Sequence, residues 1–177
     1  ILALKAIFDC WQNGTALNFQ GEYFRHTLMT PMFNPGPLDC APPPVLLGAL
    51  GPLMTEVAGE VADGLIVHPF NSMPFLADHA LPAVHRGLEK SGRGRNDFIL
   101  QINAIVITGD TDETRAAATA SVKSLLGFYA STPAYRPPMD AVGYGDLQPE
   151  LNRLSKEGRW EELGSYIDQT FLDAFAT

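Results

Sequence analysis

The chain has 177 residues, 46% hydrophobic and 18% charged, which is long enough to bury a core of its own and short enough to be one domain spanning residues 1–177. A net charge of −8 without a basic stripe argues against a nucleic-acid partner. No window reaches the apolar length of a membrane span and no signal-like segment opens the chain; Cys10 and Cys40 lack CxxC spacing, so incidental thiols in a cytoplasmic protein are expected.

Ile1, Leu4, Ile7, Phe8 and Trp11 recur at helical spacing, and Gly14 is a natural stop. A helix already in phase at residue 1, without a capping residue, reads as the continuation of a longer protein. Leu17 to Thr30 alternates in short aromatic pieces around Gly21 and predicts a hairpin-like excursion. Pro31, Pro35, Pro37, Pro42, Pro43 and Pro44 then forbid helix and most ladder bonding, giving a surface connector or a substrate-side lid. Val45–Leu50 is apolar or small throughout, as a parallel strand covered on both faces would be. Pro52 suits the first turn of a helix, whose apolar face is Leu53, Met54, Val57, Ala58 and Val61. Asp63-Gly64 turns into a strand over Leu65–His68. Ser72 caps a helix running to about Lys90, kinked at Pro82 and ended by Gly92. Phe98–Thr108 reads as a third strand. Asp110 to Glu113 has capping-box spacing before a long Ala-rich helix ending near Tyr129. Ser131–Asp146 is an irregular, Pro- and Gly-rich stretch, and a last pair of helices carries Leu151, Leu154, Trp160, Leu163, Ile167, Phe171 and Phe175 as core residues.

Strands alternating with helices predict an α/β fold with a parallel sheet. Three strands are too few to close an eight-stranded barrel, so the pattern fits half a barrel or a small open sheet. Ligands on such sheets gather at the carboxyl ends of the strands. Gly48, Ala49, Leu50 and Gly51 lie there, where a helix start offers unpaired N–H groups and partial positive charge to an anion. Glycine also serves βα-turns for steric reasons alone, and the turn lacks both a Walker Lys and a full GxGxxG. Asp63, at the opposite strand end, reads as a local cap or pair. His68 ends a strand on the functional rim and is the candidate for ligand contact or proton transfer, although a lone His is more often structural. His26, His79 and His85 lack metal-ligand spacing, so no metal is expected. Gln101 and Asn103 sit two apart, hence on one side of their strand, and suit either hydrogen bonding or a barrel interior.

Pro44 to Pro52, with Met54, Ala58-Gly59-Glu60 and Ala62-Asp63-Gly64, resembles the bacterial luciferase-like monooxygenase family, in which a small-Gly-Pro turn leads into a helix ending Ala-Gly-x-x-Ala-Asp-Gly. Ile7-Phe8-Asp9-Cys10-Trp11 and Gly21-Glu22-Tyr23-Phe24 are similar to another segment of that family. The likeness covers most of residues 1–110 and is looser from Thr132 onward, where it is nearest the deazaflavin-dependent branch. The resemblance implies a partial (β/α)8 TIM barrel of which this chain holds the C-terminal strands and helices. It also implies a flavin- or deazaflavin-dependent oxidoreductase or monooxygenase, with coenzyme F420 favoured over FMN. Ala49-Leu50-Gly51 then matches the family's phosphate-contacting loop. The expected partners are this cofactor, a small-molecule substrate and a second copy of the chain. Two alternatives stay open: a barrel enzyme acting on a phosphorylated metabolite, and a non-catalytic fragment.

Overall fold

A computed structural model describes residues 1–177. Helix α1 (Leu2–Asn13) has no side-chain N-cap and stops at Gly14, whose φ of 67° is the left-handed conformation glycine adopts without penalty. Strands β1 (Phe19–Gln20) and β2 (Arg25–His26) pair antiparallel as the expected hairpin. The proline-rich stretch holds only a single 3₁₀ turn, Pro31–Phe33. Gln12 pins it to α1, its amide donating to the Leu38 and Cys40 carbonyls and accepting from the Leu38 N–H.

The central sheet has three parallel strands in the order β3 (Leu46–Ala49), β4 (Gly64–Val67), β5 (Ile99–Ile102). Gly48 is level with Ile66, and Ile66 with Gln101. Helix α2 (Pro52–Val61) connects β3 to β4. A short turn α3 (Met73–Phe75), a π turn (Leu76–Ala80) and α4 (Leu81–Ser91) form one continuous helical run from β4 toward β5. Ser72 caps that run by accepting from the Phe75 N–H, and Gly92 ends it at φ 68°. The π turn just before Pro82 is the relief the ring needs, since proline supplies no N–H and crowds the preceding turn. α2 and α4 cross closely at Gly59 and Gly87, where a Cβ on either would collide with the other helix's backbone. Arg93 donates to the Gly59 and Ala62 carbonyls and so closes the C-terminal end of α2.

Leu65 and Val67 face the helices and join Ala58, Leu76, Val84, Leu88 and Phe98 in one core. The opposite face of the sheet, with Gly48, Ile66, Gln101 and Asn103, has no helix over it. The first strand, expected to be covered on both faces, is covered on one here: Leu47 and Ala49 pack against the core, and Gly48 is exposed.

Beyond β5 the expected strand over Phe98–Thr108 ends early. Its ladder stops at Ile102, and pairing resumes only as a bridge between Ile105 and Ala176, at the far end of the chain. Helix α5 (Asp112–Ala130) is capped by Thr111 with Thr114, one residue later than the Asp110–Glu113 spacing suggested. The stretch expected to be irregular contains α6 (Arg136–Asp140), which takes Pro137 into its first turn. Helices α7 (Gln148–Lys156) and α8 (Gln169–Phe175) flank a 3₁₀ segment, Trp160–Tyr166. Leu126, Met139, Leu151, Leu154, Leu163, Ile167, Phe171 and Phe175 build a second core, and Phe70 reaches into it from the sheet. Trp160 is 49% exposed, so its expected place in a core is also corrected.

Candidate functional site

The carboxyl ends of β3 and β4 and the chain beyond β5 frame a cleft of about 370 Å³, walled by Gly48, Ala49, Leu50, Ile66, Val67, His68, Pro69, Asn103 and Tyr135. Three of the four turn residues singled out in the sequence, Gly48, Ala49 and Leu50, line it together with His68. Gly51 lies in an adjoining pocket of about 180 Å³, with Pro52, Thr55, His79 and Ala134 among its walls; Leu50 lines both. No Lys, Arg, Asp or Glu side chain lines either space.

The turn has an open helix start. Gly51 is the N-cap of α2, and no side chain caps the helix. The Thr55 N–H closes onto the Gly51 carbonyl, and Pro52 has no N–H to offer. The amides of Leu53 and Met54 are the first-turn donors left over. Neither Gly48 nor Gly51 has a positive φ, and a Cβ built on either meets no atom within 4 Å. These glycines relieve no clash within the chain; they leave room at the rim. Donors, space and the helix dipole together suit a phosphate group. The apolar and aromatic walls Ala49, Leu50, Ile66 and Tyr135 suit a flat ring.

His68 sits one residue past β4. Its Nδ1 accepts from the Phe70 N–H at 3.1 Å, and its Nε2 lies 3.3 Å from the Tyr135 hydroxyl. Its ring packs edge-on to Tyr129 at 5.0 Å and tilted over Tyr135 at 4.7 Å. Burial pushes the imidazole below its ordinary value of 6.5, so it is neutral at pH 7. Sequence reasoning missed Tyr135. It stands among prolines with no spacing that ties it to His68, and its nearest signal is an aromatic residue in a stretch otherwise read as connector.

Gln101 donates to the Asn103 Oδ1 at 3.3 Å, and Asn103 also lines the cleft, so the pair combines the hydrogen bond with a place on the open side of the sheet. Asp63 accepts from Lys5 at 2.6 Å and from the Val45 N–H at 2.7 Å, fixing the entry to β3 at the end remote from the cleft. Burial works to raise its pKa, but the Lys5 ammonium and the Val45 amide outweigh that and hold the carboxyl below the ordinary carboxylate range.

This arrangement of strands, helices and rim recurs in known proteins. The solved structure of a coenzyme F420 dependent tetrahydromethanopterin reductase from Methanopyrus kandleri superposes with a TM-score of 0.70 at 18% identity, over 98% of this chain and 48% of that one. The three-stranded sheet is accordingly part of a TIM-barrel fold. An uncharacterized protein of Mycobacterium tuberculosis is 47% identical over 99% of this chain and 52% of its own length. An F420-dependent glucose-6-phosphate dehydrogenase of Nakamurella multipartita is 34% identical over 96% of this chain and 50% of its own. The chain thus spans about half the length of the curated relatives it matches. The sequence model of luciferase-like monooxygenases matches residues 3–177, and with nearly the whole chain so accounted for, the protein belongs to the luciferase-like monooxygenase family.

Proposed function

We propose that the chain is the phosphate-holding part of a coenzyme F420-dependent oxidoreductase. The observation that carries this reading is the uncapped start of α2, whose Gly51 and Pro52 line the pocket that adjoins the strand-end cleft across Leu50. Family membership and relatives named as F420-dependent enzymes support the deazaflavin over FMN. The coenzyme would supply hydride transfer to or from a small organic substrate. The chain's own residues hold and orient it. The Leu53 and Met54 amides donate to a phosphate seated at Ala49-Leu50-Gly51. Ile66, near the carboxyl end of β4, excludes water from the inner wall. Neutral His68, held by the Phe70 amide and Tyr135, contacts the bound molecule or moves a proton beside it.

Titration of the protein with coenzyme F420, followed by absorbance and fluorescence, tests the proposal, with FMN in parallel. Saturable binding of F420 tighter than that of FMN is expected. Absence of binding by either cofactor overturns the reading.

A further inference from the structure

The geometry points to Tyr135 as a hydrogen-bond donor to an oxygen atom of the molecule in the strand-end cleft, with His68 as the positioning residue that aims it. This inference rests on the reading of that cleft as the coenzyme site. It begins with the tautomer of His68. Nδ1 accepts from the Phe70 N–H, so it carries no proton, and the neutral ring must hold its proton on Nε2. The Nε2–H then donates to the Tyr135 hydroxyl oxygen at 3.3 Å. With that oxygen serving as acceptor, the phenol's own proton is left free to be donated elsewhere. The ring cannot easily turn away, because it packs against His68 at 4.7 Å, Phe70 at 6.0 Å and Tyr129 at 6.0 Å.

The walls of the cleft explain why this proton matters. Tyr135 and His68 are its only titratable side chains, and Asn103 is the remaining polar one. A carbonyl or phosphoryl oxygen entering the cleft finds no cation, so neutral donors must bind it: the Tyr135 O–H and the Asn103 amide on its walls, with the amides at the start of α2 in the adjoining pocket. The two aromatic residues come from opposite parts of the chain, one at the end of β4 and one between α5 and α6, so only the folded protein brings them together. The titratable groups facing His68 are Tyr129 and Tyr135, and no charged side chain bonds to its ring. Protonation would put an N–H on Nδ1 facing the Phe70 N–H, two donors in conflict, and the ring would turn to relieve them, carrying its Nε2–H off the Tyr135 oxygen. Ligand affinity should therefore fall as the pH drops through the midpoint of His68, which burial sets below 6.5.

The test has two arms. Without ligand, nitrogen NMR of the imidazole rings should show His68 protonated on Nε2, with the Nε2 signal shifted in Tyr135→Phe; protonation on Nδ1 overturns the inference. With ligand, affinities are measured for F420 and for the same deazaflavin lacking its phosphate tail. Tyr135→Phe, which keeps the ring and the fold, should weaken binding about tenfold, as loss of one hydrogen bond to a polar or charged oxygen does. A loss confined to F420 assigns the acceptor to the phosphate, and an equal loss for both ligands assigns it to the ring carbonyls. His68→Ala should weaken binding similarly, whereas His68→Gln, whose amide can still donate toward Tyr135, should restore it and abolish the loss of affinity at acid pH. Equal affinity of wild type and Tyr135→Phe for both ligands overturns the role of Tyr135 alone. Failure of the wild type to bind either ligand overturns the coenzyme reading itself, and this inference with it.

Discussion

The helices from α5 to α8 enclose themselves, whereas the sheet of β3, β4 and β5 is covered on one face only. In the helical region Phe171 and Leu151 are fully buried, and Phe70, from the chain after β4, is buried against them and stacks on Phe175 at 4.4 Å. On the open face of the sheet, Ile99 is 45% exposed. The helical region buries its apolar residues on all sides, whereas the sheet leaves one face open. They meet through Phe70, the Ser72 hydroxyl on the Pro138 carbonyl, and the His68–Tyr135 contact. The candidate site lies on this seam.

The largest expected effect tests the seam itself. Phe70→Ala removes a ring packed on Tyr129, Tyr135, Phe171 and Phe175 and should cost about 3–5 kcal/mol in denaturant unfolding. A much smaller loss would mean that the two regions are not coupled there. Next is the crossing of α2 and α4. Gly87→Ala drives a methyl into the Glu56 carbonyl and should cost about 2–3 kcal/mol through forced backbone shifts. Asp63→Asn breaks the ion pair to Lys5 and weakens the anchor of Val45, an effect of about 1 kcal/mol given the partial exposure of both side chains. The sign with pH follows from its depressed pKa. The stabilisation by Asp63 is complete above its unfolded value of 3.8 and is lost as the pH falls through the lower folded value, so acid unfolding of Asp63→Asn should lack that component. The smallest effect belongs to the open face, where Ile99→Thr should change stability by no more than about 0.5 kcal/mol. A large loss there would show that the face is covered in solution.

Legibility from sequence followed the same division. The βαβ unit was readable because its signals are local: an apolar run, a glycine turn, Pro52 in the first turn and an amphipathic face. Gly14 and Gly92 marked helix ends for the same reason. What failed was non-local. Ile102, Ile105 and Ile107 continue an apolar pattern, but the chain leaves the sheet at Asn103 to pair with Ala176, and no local rule foresees a partner so distant. The shift of the cap from Asp110 to Thr111 is a one-residue slip between adjacent residues able to cap. Trp160 has helical spacing yet lies on a 3₁₀ segment that turns half of it to solvent. In the candidate site, the turn and His68 were legible because they end strands. Tyr135 was not, because its role exists only once α5 and the chain after it fold back over the rim.

The central claim, that the open start of α2 holds a phosphate, is tested most directly by Gly51→Asp. A Cβ at Gly51 meets nothing within 4 Å and its φ of −68° suits any residue, so the variant should fold. Aspartate is a favoured N-cap and should raise stability by a few tenths, about 0.3 kcal/mol, by accepting from the first-turn amides. The same carboxylate would occupy those amides and repel an anion. F420 titration of this variant against wild type is expected to show at least about a tenfold loss of affinity in a protein no less stable. Unchanged F420 affinity in a folded Gly51→Asp protein would contradict the account.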